Sequence, residues 1–183
     1  MKHFIIITNR PKDPDLEITR RVQELLKLRQ ASCSVYADEI PKEGWKRILL
    51  REGDRTDAIL VLGGDGTMLR AARDTADSQI PMLGINLGTL GYLTEVEKNG
   101  MEDAIDRLVA GSYQVEDRMM LCGQIYRQGR MEEENSALND ITITRCGHLR
   151  MLYFQIYVNG KLLKEYHADG IIIATPTGST GYN

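Results

Sequence analysis

The sequence lacks the residue spacings that mark disulfide-rich and zinc-binding proteins. Its three cysteines, Cys33, Cys122 and Cys146, are odd in number, far apart and without Cys-x-x-Cys spacing. This pattern argues against a disulfide framework or a zinc site, and we expect the three to be reduced, small core residues. The three histidines show no paired ligand spacing either.

The sequence also lacks a charge excess and a long apolar run. Its 23 basic and 26 acidic residues nearly cancel, and no basic cluster stands out that would attract nucleic acid or an anionic membrane surface. The N-terminal apolar run, residues 3–8, is too short for a signal peptide and predicts a first strand instead. We therefore expect a cytoplasmic protein that binds neither nucleic acid nor membranes.

Two common nucleotide-binding signatures are missing, but a different glycine-rich turn is present. Neither Gly-x-x-x-x-Gly-Lys-Ser/Thr nor Gly-x-Gly-x-x-Gly occurs, whereas the apolar run 58–62 ends in Gly-Gly-Asp-Gly-Thr at 63–67. Glycines leave room for a ligand and can adopt positive φ, so their backbone N–H groups can point at phosphate oxygens. A helix predicted over 67–73 would add its dipole to this anion site.

The turn is therefore predicted to bind phosphate, with Asp65 as a candidate base. The alternative is a tight strand-to-helix turn in which Asp65 is a simple N-cap. The predicted phosphate-binding residues are Gly63, Gly64, Gly66 and Thr67.

Strand and helix patterns alternate over the first part of the chain. Asp13-Pro14-Asp15 resembles an N-cap with proline at the first helical position, and a stripe of apolar residues at helical spacing follows it. Further predicted elements are strands at 34–36, 57–62 and 81–86 and helices at 45–50 and 101–109. This alternation predicts a parallel sheet covered by helices, with ligands at the carboxyl ends of its strands, where 63–67 and 86–88 lie.

The second part of the chain has period-two patterns typical of antiparallel strands. The predicted strands lie at 119–127, 136–145, 152–158, 161–167 and 170–174. Residues 128–135 are predicted to be a polar loop with Glu132, Glu133 and Glu134 in solvent, and Asn159-Gly160 a tight hairpin turn. We therefore place an α/β domain at 1–112 and an antiparallel, β-sandwich-like domain at 113–183.

The second part carries its own polar residues in apolar surroundings. Asn139 and Asp140 interrupt an apolar strand, where an amide and a carboxylate are costly unless satisfied. They either start that strand or face a ligand, the amide pairing with an adenine edge and the carboxylate accepting from a ribose hydroxyl. Asp169 is likewise either a turn residue or a carboxylate at the mouth of a strand.

Four blocks of sequence together resemble the NAD kinase family over nearly the whole chain. The blocks are 63–67, 84–93, 137–140, and 168–170 running into 175–182. The resemblance implies that ATP, or polyphosphate in some members, phosphorylates the 2'-hydroxyl of the adenosine ribose of NAD to give NADP. It also implies Mg²⁺ as the expected divalent metal, a homo-oligomer (dimer or tetramer), and NAD held between an α/β and a β-sandwich-like domain.

The resemblance also implies roles for individual residues. Asp65 matches the family's proton acceptor, while no residue is assigned as a metal ligand. The residues at NAD-contacting positions are Asp65, Gly66, Arg70, Asn139, Asp140, Arg150, His167, Asp169, Thr180, Gly181, Tyr182 and Asn183. Two residues depart from the family pattern, Asp140 for the commoner Glu and Gly181 for the commoner Ala.

Length is the larger departure, because family members continue well beyond residue 183. A sandwich cut there would expose unpaired strand edges, so we expect the β domain to be incomplete. Two alternative functions stay open. Diacylglycerol and sphingosine kinases share the Gly-Gly-Asp-Gly motif, although Asn139-Asp140 and 175–180 stand against an apolar acceptor. A silent NAD(P)-binding module is the other, although Asp65 favours catalysis.

Overall fold

The computed structural model describes residues 2–37, 40–89, 91–147 and 151–181. The chain divides into two compact units, Met1–Asp117 and Arg118–Asn183. The first contains a parallel sheet with helices and the second contains small antiparallel sheets. The predicted fold class, an α/β part followed by antiparallel strands, is confirmed.

Five parallel strands form the sheet of the first unit. Their bounds are β1 (His3–Thr8), β2 (Ser32–Tyr36), β3 (Ala58–Gly63), β4 (Met82–Asn86) and β5 (Val96–Glu97). The strand order is β2-β1-β3-β4-β5. The chain thus runs from β1 outward to β2 and then returns to β3 on the other side of β1. Such a reversal leaves a crevice at the carboxyl ends of β1 and β3, which is where open α/β sheets bind ligands.

Four helices cover both faces of this sheet. They are α1 (Glu17–Leu28), α2 (Lys42–Glu52), α3 (Asp65–Thr75) and α4 (Met101–Ala110). The predicted helical stripe is confirmed, because Val22, Leu25 and Leu26 of α1 are fully buried. Side chains of α1 and α4 pack in one core cluster with Phe4 and Leu60, whereas α2 and α3 contribute to the other.

The central strands are apolar on both faces because helices cover both faces. Successive residues of β3 alternate between the two core clusters, Leu60 on one side and Ile59 and Val61 on the other. Trp45 of α2 is buried in the second cluster, with its ring centroid 5.3 Å from that of Tyr36 in an edge arrangement. This packing fixes the ends of β1, β3 and β4, from which the candidate site is built.

Helix α1 begins later than the sequence predicted. Pro14 is not its first residue, because the helix begins at Glu17 after Leu16, whose φ is 55°. Asp13 still caps the helix, since its carboxylate accepts hydrogen bonds from the backbone N–H of Ile18 (3.2 Å) and of Thr19 (2.9 Å). Burial raises the pKa of Asp13, but a hydrogen bond from the Thr19 hydroxyl (2.7 Å) together with these backbone bonds outweighs it, and the net pKa is lowered.

The second unit consists of three two-stranded antiparallel sheets, β6-β7, β8-β11 and β9-β10. The bounds are β6 (Leu121–Arg127), β7 (Arg130–Ala137), β8 (Asp140–Thr144), β9 (Leu152–Val158), β10 (Lys161–Ala168) and β11 (Gly170–Ala174). The predicted turn Asn159-Gly160 is confirmed, since both residues have positive φ between β9 and β10.

The polar loop predicted at 128–135 is wrong. Gln128 and Gly129, with φ of 49° and 75°, form a tight turn, and the acidic residues that follow lie on β7 paired with β6. Their side chains are exposed, so a charged strand is compatible with this two-stranded sheet. The strand predicted at 136–145 is also divided, because β7 ends at Ala137 and β8 begins at Asp140.

The cysteines are free thiols, but they are not all core residues. Cys33 is partly buried against the first unit's core, and this burial raises its pKa. Cys122 and Cys146 are exposed, so the prediction of core positions is wrong for these two. In the part of the chain that the structure describes, every helix falls short of the length and apolar character needed to cross a membrane.

Candidate phosphate and nucleotide sites

The turn between β3 and α3 follows a fully buried strand and begins a helix. Gly64 is extended, with φ −135° and ψ −171°, and occupies the N-cap position, so Asp65 is the first helical residue. The N-cap alternative for Asp65 is therefore wrong. The N–H groups of Asp65 and Gly66 have no intrahelical partner, because they belong to the first helical turn. They are suited to an anion.

At this turn glycine matters because it has no side chain, not because it permits positive φ. Among the described glycines, positive φ occurs at Gly111, Gly129, Gly147 and Gly160, all outside the turn. A Cβ on Gly63 would lie only 2.4 Å from Thr67 Oγ1, so a side chain there would displace the start of α3. Gly63, Gly64 and Gly66 therefore do not use the positive φ that glycine permits, and close approach of neighbouring atoms is the physical reason for glycine at position 63.

Thr67 is buried and ties the turn to the end of β1. The Asn9 side-chain amide donates to Thr67 Oγ1 (2.9 Å), and the Asn9 backbone N–H donates to the Leu62 carbonyl (2.8 Å). The Thr67 backbone N–H donates to the Gly64 carbonyl (2.9 Å). These bonds give Thr67 a structural role in shaping the turn, whatever contact it makes with a ligand.

The carboxylate of Asp65 contacts the loop 91–94. It accepts hydrogen bonds from the backbone N–H of Tyr92 (2.7 Å) and of Leu93 (3.0 Å), and the Thr94 hydroxyl lies 3.4 Å away. A Cβ on Gly91 would lie 2.0 Å from Asp65 Oδ1, so glycine is required for this approach. An ionised carboxylate offers about four lone pairs, so these bonds leave Asp65 further capacity to accept a proton.

The loop after β4 lies beside this turn, as the sequence analysis predicted for strands that end at one edge. Gly63 pairs with Asn86 in the sheet, and the Leu87 N–H donates to the Gly63 carbonyl (2.8 Å). The Asn86 side chain accepts from the Gly88 N–H (3.0 Å), which holds this loop in a tight turn. The two loops thus form one backbone-lined surface.

Sequence reasoning missed Lys12, whose ammonium lies at this surface. Its Nζ is 2.8 Å from the position that a Cβ on Gly64 would occupy, and 3.4 Å from the equivalent position on Gly88. Lys12 ends a short 3₁₀ turn, Arg10–Lys12, directly after β1. A basic residue just beyond the carboxyl end of a predicted parallel strand was the available signal.

In the second unit, the structure brings together two of the predicted nucleotide-binding segments. The Asn139 carbonyl accepts from the Thr175 N–H (2.7 Å), and the Thr175 hydroxyl donates to the Leu138 carbonyl (2.5 Å). A Cβ on Gly178 would lie 2.3 Å from the Asn139 carbonyl oxygen. Asn139 Oδ1 is buried and has no hydrogen-bond partner among the described residues, so a buried acceptor is available for a donor.

The other predicted residues of this unit are more scattered. Asp140 begins β8 and accepts from the Thr142 hydroxyl (3.2 Å), while the Asp169 carboxylate is 3.2 Å from Arg145 Nε. These carboxylates belong to opposite ends of the β8-β11 ladder, because Asp140 pairs with Ala174 and Thr144 with Gly170. The structure therefore does not bring Asp140 and Asp169 together.

The remaining predicted NAD contacts are placed as follows. The His167 ring lies 5.1 Å from that of Tyr153, and Thr180 ends a 3₁₀ turn that is followed by Gly181. Arg70 is exposed on α3. Arg150, Tyr182 and Asn183 lie outside the described residues. The described part of the chain contains no group of three or more His, Cys, Asp or Glu residues placed to hold a metal ion.

The sheet order and the turn after β3 define an α/β protein of the doubly wound class, with its candidate site at the strand-order reversal. A family model described as the ATP-NAD kinase N-terminal domain matches residues 4–113, and one described as the ATP-NAD kinase C-terminal domain matches 138–183. The chain belongs to the NAD kinase family, as the four sequence blocks predicted.

Individual relatives agree with this assignment. The chain is 46% identical over 184 residues to the NAD kinase of Agathobacter rectalis, and 41% over 186 residues to that of Lachnospira eligens. Both alignments cover 100% of this chain and 64% of the relative, so the chain spans about two thirds of these proteins.

A solved structure shows the same fold. The crystal structure of yeast NADH kinase complexed with NADH matches with a TM-score of 0.73 at 21% identity, over 100% of this chain and 60% of that one. This likeness concerns the fold alone.

Proposed function

We propose that the protein phosphorylates the 2'-hydroxyl of the adenosine ribose of NAD with ATP, giving NADP and ADP. The observation that carries the proposal is the position of Asp65. Its carboxylate stands at the first residue of α3, directly after a glycine turn whose N–H groups suit phosphate. Membership of the NAD kinase family supports the choice of NAD and ATP as substrates.

The proposed chemistry needs a base and a phosphate cradle. A ribose hydroxyl is a weak nucleophile at neutral pH, so Asp65 accepts its proton while the 2'-oxygen bonds to the terminal phosphorus of ATP. The bond from that phosphorus to the bridging oxygen breaks, and ADP leaves with the electron pair. The backbone of 63–67 holds the phosphates, because phosphoryl transfer depends chiefly on positioning and on charge neutralisation.

The two parts of the chain would then have different roles. We propose that 1–112 binds phosphate and that 113–183 is the part of a β-rich domain that contacts NAD. The cluster at Asn139 supports the second assignment, because its buried amide oxygen is suited to a hydrogen bond from the nucleotide.

The expected metal is Mg²⁺, which would neutralise charge on the triphosphate. Mg²⁺ is usually held by one or two carboxylates together with substrate phosphates and water. Holding the metal is an alternative role for Asp65, in place of accepting the proton, and among the described residues no group of three or more His, Cys, Asp or Glu residues is placed to hold a metal ion. We also propose a cytoplasmic location, which three free thiols suit, and a homo-oligomer, dimer or tetramer, as the family resemblance implies.

One assay tests the reaction directly. Full-length protein is incubated with ATP, Mg²⁺ and either NAD or diacylglycerol, and NADP is detected with a dehydrogenase that accepts only that cofactor. NADP formation is the expected result. Phosphorylation of diacylglycerol instead would indicate a lipid kinase, and NAD binding without turnover would indicate a silent binding module.

Asp65→Asn tests the proposed role of the Asp65 carboxylate as the proton acceptor. We expect turnover to fall roughly 10²-fold to 10⁴-fold with the fold and NAD affinity retained, because the amide cannot accept the proton. Asp54→Asn, the same change at an exposed position of the first unit, is the matched control. Near-normal turnover of the Asp65 variant would remove this residue from the chemistry.

Asn139→Ala tests the nucleotide contact of the second unit. We expect it to weaken NAD binding more than ATP binding, since the amide would pair with the adenosine of NAD. Calorimetric titration with each nucleotide separates the two. Equal weakening of both, together with a lower melting temperature, would make Asn139 a purely structural residue.

A further inference from the structure

The ammonium of Lys12 lies over the glycine turn that the proposed reaction uses, and no motif marks this residue. We propose that Lys12 binds the polyphosphate group of the phosphate donor and positions it against residues 63–67. This inference rests on the proposed function for the identity of the reaction, but its physical basis is the geometry around the Lys12 side chain.

The topology places Lys12 at the crevice of the sheet. The strand order reverses between β1 and β3, so the segments that follow these two strands diverge and leave a gap at their carboxyl ends. Lys12 follows β1, whereas Gly63 and Gly64 end β3 and begin the turn. The hydrogen bond from Asn9 to Thr67 ties the two segments together, so the start of the segment that carries Lys12 is fixed relative to the turn.

Glycine provides the space that the ammonium occupies. A Cβ on Gly64 would lie 2.8 Å from Lys12 Nζ, closer than real Cβ atoms approach other atoms, and one on Gly88 would lie 3.4 Å away. The ammonium therefore stands directly over backbone from the loops after β3 and β4. Together with the first N–H groups of α3, this gives donors of two kinds, a charged ammonium and peptide N–H groups, on one surface.

The charge of Lys12 is available to a ligand. Among the described residues no carboxylate forms an ion pair with it, and the nearby Asp65 carboxylate is hydrogen-bonded to the backbone of Tyr92 and Leu93 instead. A cation without an anionic partner, next to N–H groups at a helix start, favours a multiply charged oxyanion. The matching chemistry is a chain of phosphates, either in a nucleoside triphosphate or in inorganic polyphosphate.

Calorimetric titration of the purified protein with tripolyphosphate and, separately, with ATP tests the proposal. We expect Lys12→Met to weaken both ligands roughly 10-fold to 100-fold, as for loss of a charged hydrogen bond, and to leave NAD affinity unchanged. Lys12→Arg should retain most of the affinity, because guanidinium also binds phosphate. Lys27→Met, the same change at an exposed position of α1, is the matched control.

The two ligands identify the source of the phosphates. Weakening of both supports a nucleoside triphosphate as ligand, and weakening of tripolyphosphate alone supports inorganic polyphosphate. Unchanged affinities in Lys12→Met, an equal loss in Lys27→Met, or no binding of either ligand to the wild-type protein would overturn the proposal. Lys12→Gln, with its melting temperature measured beside that of the wild type, repeats the test if Lys12→Met does not fold.

The titration uses neither NAD nor turnover, so it is independent of the proposed reaction. If wild-type protein makes no NADP but loses tripolyphosphate binding on Lys12→Met, the proposed reaction fails and the phosphate ligand stands. If NADP is made and Lys12→Met binds both ligands normally, only the Lys12 proposal fails. Where NADP is made, Lys12→Met should raise KM for the donor far more than KM for NAD.

Discussion

The two units bury their strands to very different degrees. All six residues of β3 are buried, whereas seven of the eight residues of β10 are exposed. In the first unit the candidate site therefore follows strands fixed by an apolar core. In the second, the candidate site depends on a few specific contacts, such as those joining Asn139, Thr175 and Gly178. Two candidate sites on one chain thus depend on different forces, the hydrophobic effect in one and local hydrogen bonding with close packing in the other.

A pair of leucine truncations should show the largest difference between the units. Leu60→Ala removes a fully buried side chain of β3 and should lower the free energy of unfolding by about 2–5 kcal/mol. Leu163→Ala makes the same change at a residue of β10 that is 65% exposed, and should cost under about 0.5 kcal/mol. Urea denaturation measures both, and equal losses would contradict the contrast in burial.

Acid should act first on the first unit, through Glu52. Burial raises the pKa of this carboxyl, but hydrogen bonds from Ser34, Arg51 and Tyr36 outweigh it and lower the pKa from 4.5 to about 2. A depressed pKa stabilises the fold above pH 4.5, and this contribution, roughly 3 kcal/mol, is lost as the pH falls toward 2.

Melting temperatures between pH 7 and pH 2 measure this effect. Glu52→Gln should lower stability at neutral pH and flatten the dependence on acid. Glu133→Gln, at an exposed position of β7, should leave both nearly unchanged. If stability still falls with pH to the same extent in Glu52→Gln, other carboxyl groups are responsible for the acid dependence.

Two glycine substitutions test the candidate sites of the two units. A Cβ on Gly178 would meet the Asn139 backbone at 2.3 Å, so Gly178→Ala should destabilise the second unit by about 1–3 kcal/mol and displace Asn139. Gly66 has no atom within 4 Å of its Cβ position, so Gly66→Ala should be neutral or stabilise by up to about 1 kcal/mol. Hydrogen exchange measures the stability of each unit separately. A larger loss of stability for Gly66→Ala than for Gly178→Ala would contradict this prediction.

The smallest effect is expected at the cap of α1. Asp13→Ala removes the acceptor for the N–H groups of Ile18 and Thr19 and should cost about 1 kcal/mol. Asp15→Ala, at an exposed position two residues later, should change stability by less than about 0.5 kcal/mol. Thermal unfolding of both variants decides whether Asp13 caps the helix, and identical melting temperatures would exclude it.

Periodicity predicted the elements well where burial is regular. The apolar spacing in α1 and the run before Gly63 reflect contacts with a core, and core contacts leave a pattern in the sequence. The turn at Gln128-Gly129 was missed because the acidic residues after it favour a loop, although the exposed part of a strand tolerates them.

Contacts between distant residues could not be predicted. Lys12 approaches Gly64 and Gly88, and Asp65 binds the backbone of Tyr92, across loops that are adjacent only because β1, β3 and β4 are neighbours. The order of strands in a sheet is set by tertiary packing and leaves no periodic signal. The motif blocks identified the family and the residues, whereas the contacts among them required the structure.

Because Trp45 is buried in the first unit, tryptophan fluorescence reports on that unit. Trp45 is the chain's single tryptophan, 4% exposed beside Tyr36, and the second unit has only tyrosines and one phenylalanine as fluorescent aromatic residues. Emission excited at the red edge of the indole band therefore comes from the α/β unit alone. A red shift of that emission reports the opening of the parallel sheet, whereas tyrosine emission comes from both units, because Tyr36, Tyr92 and Tyr113 belong to the first.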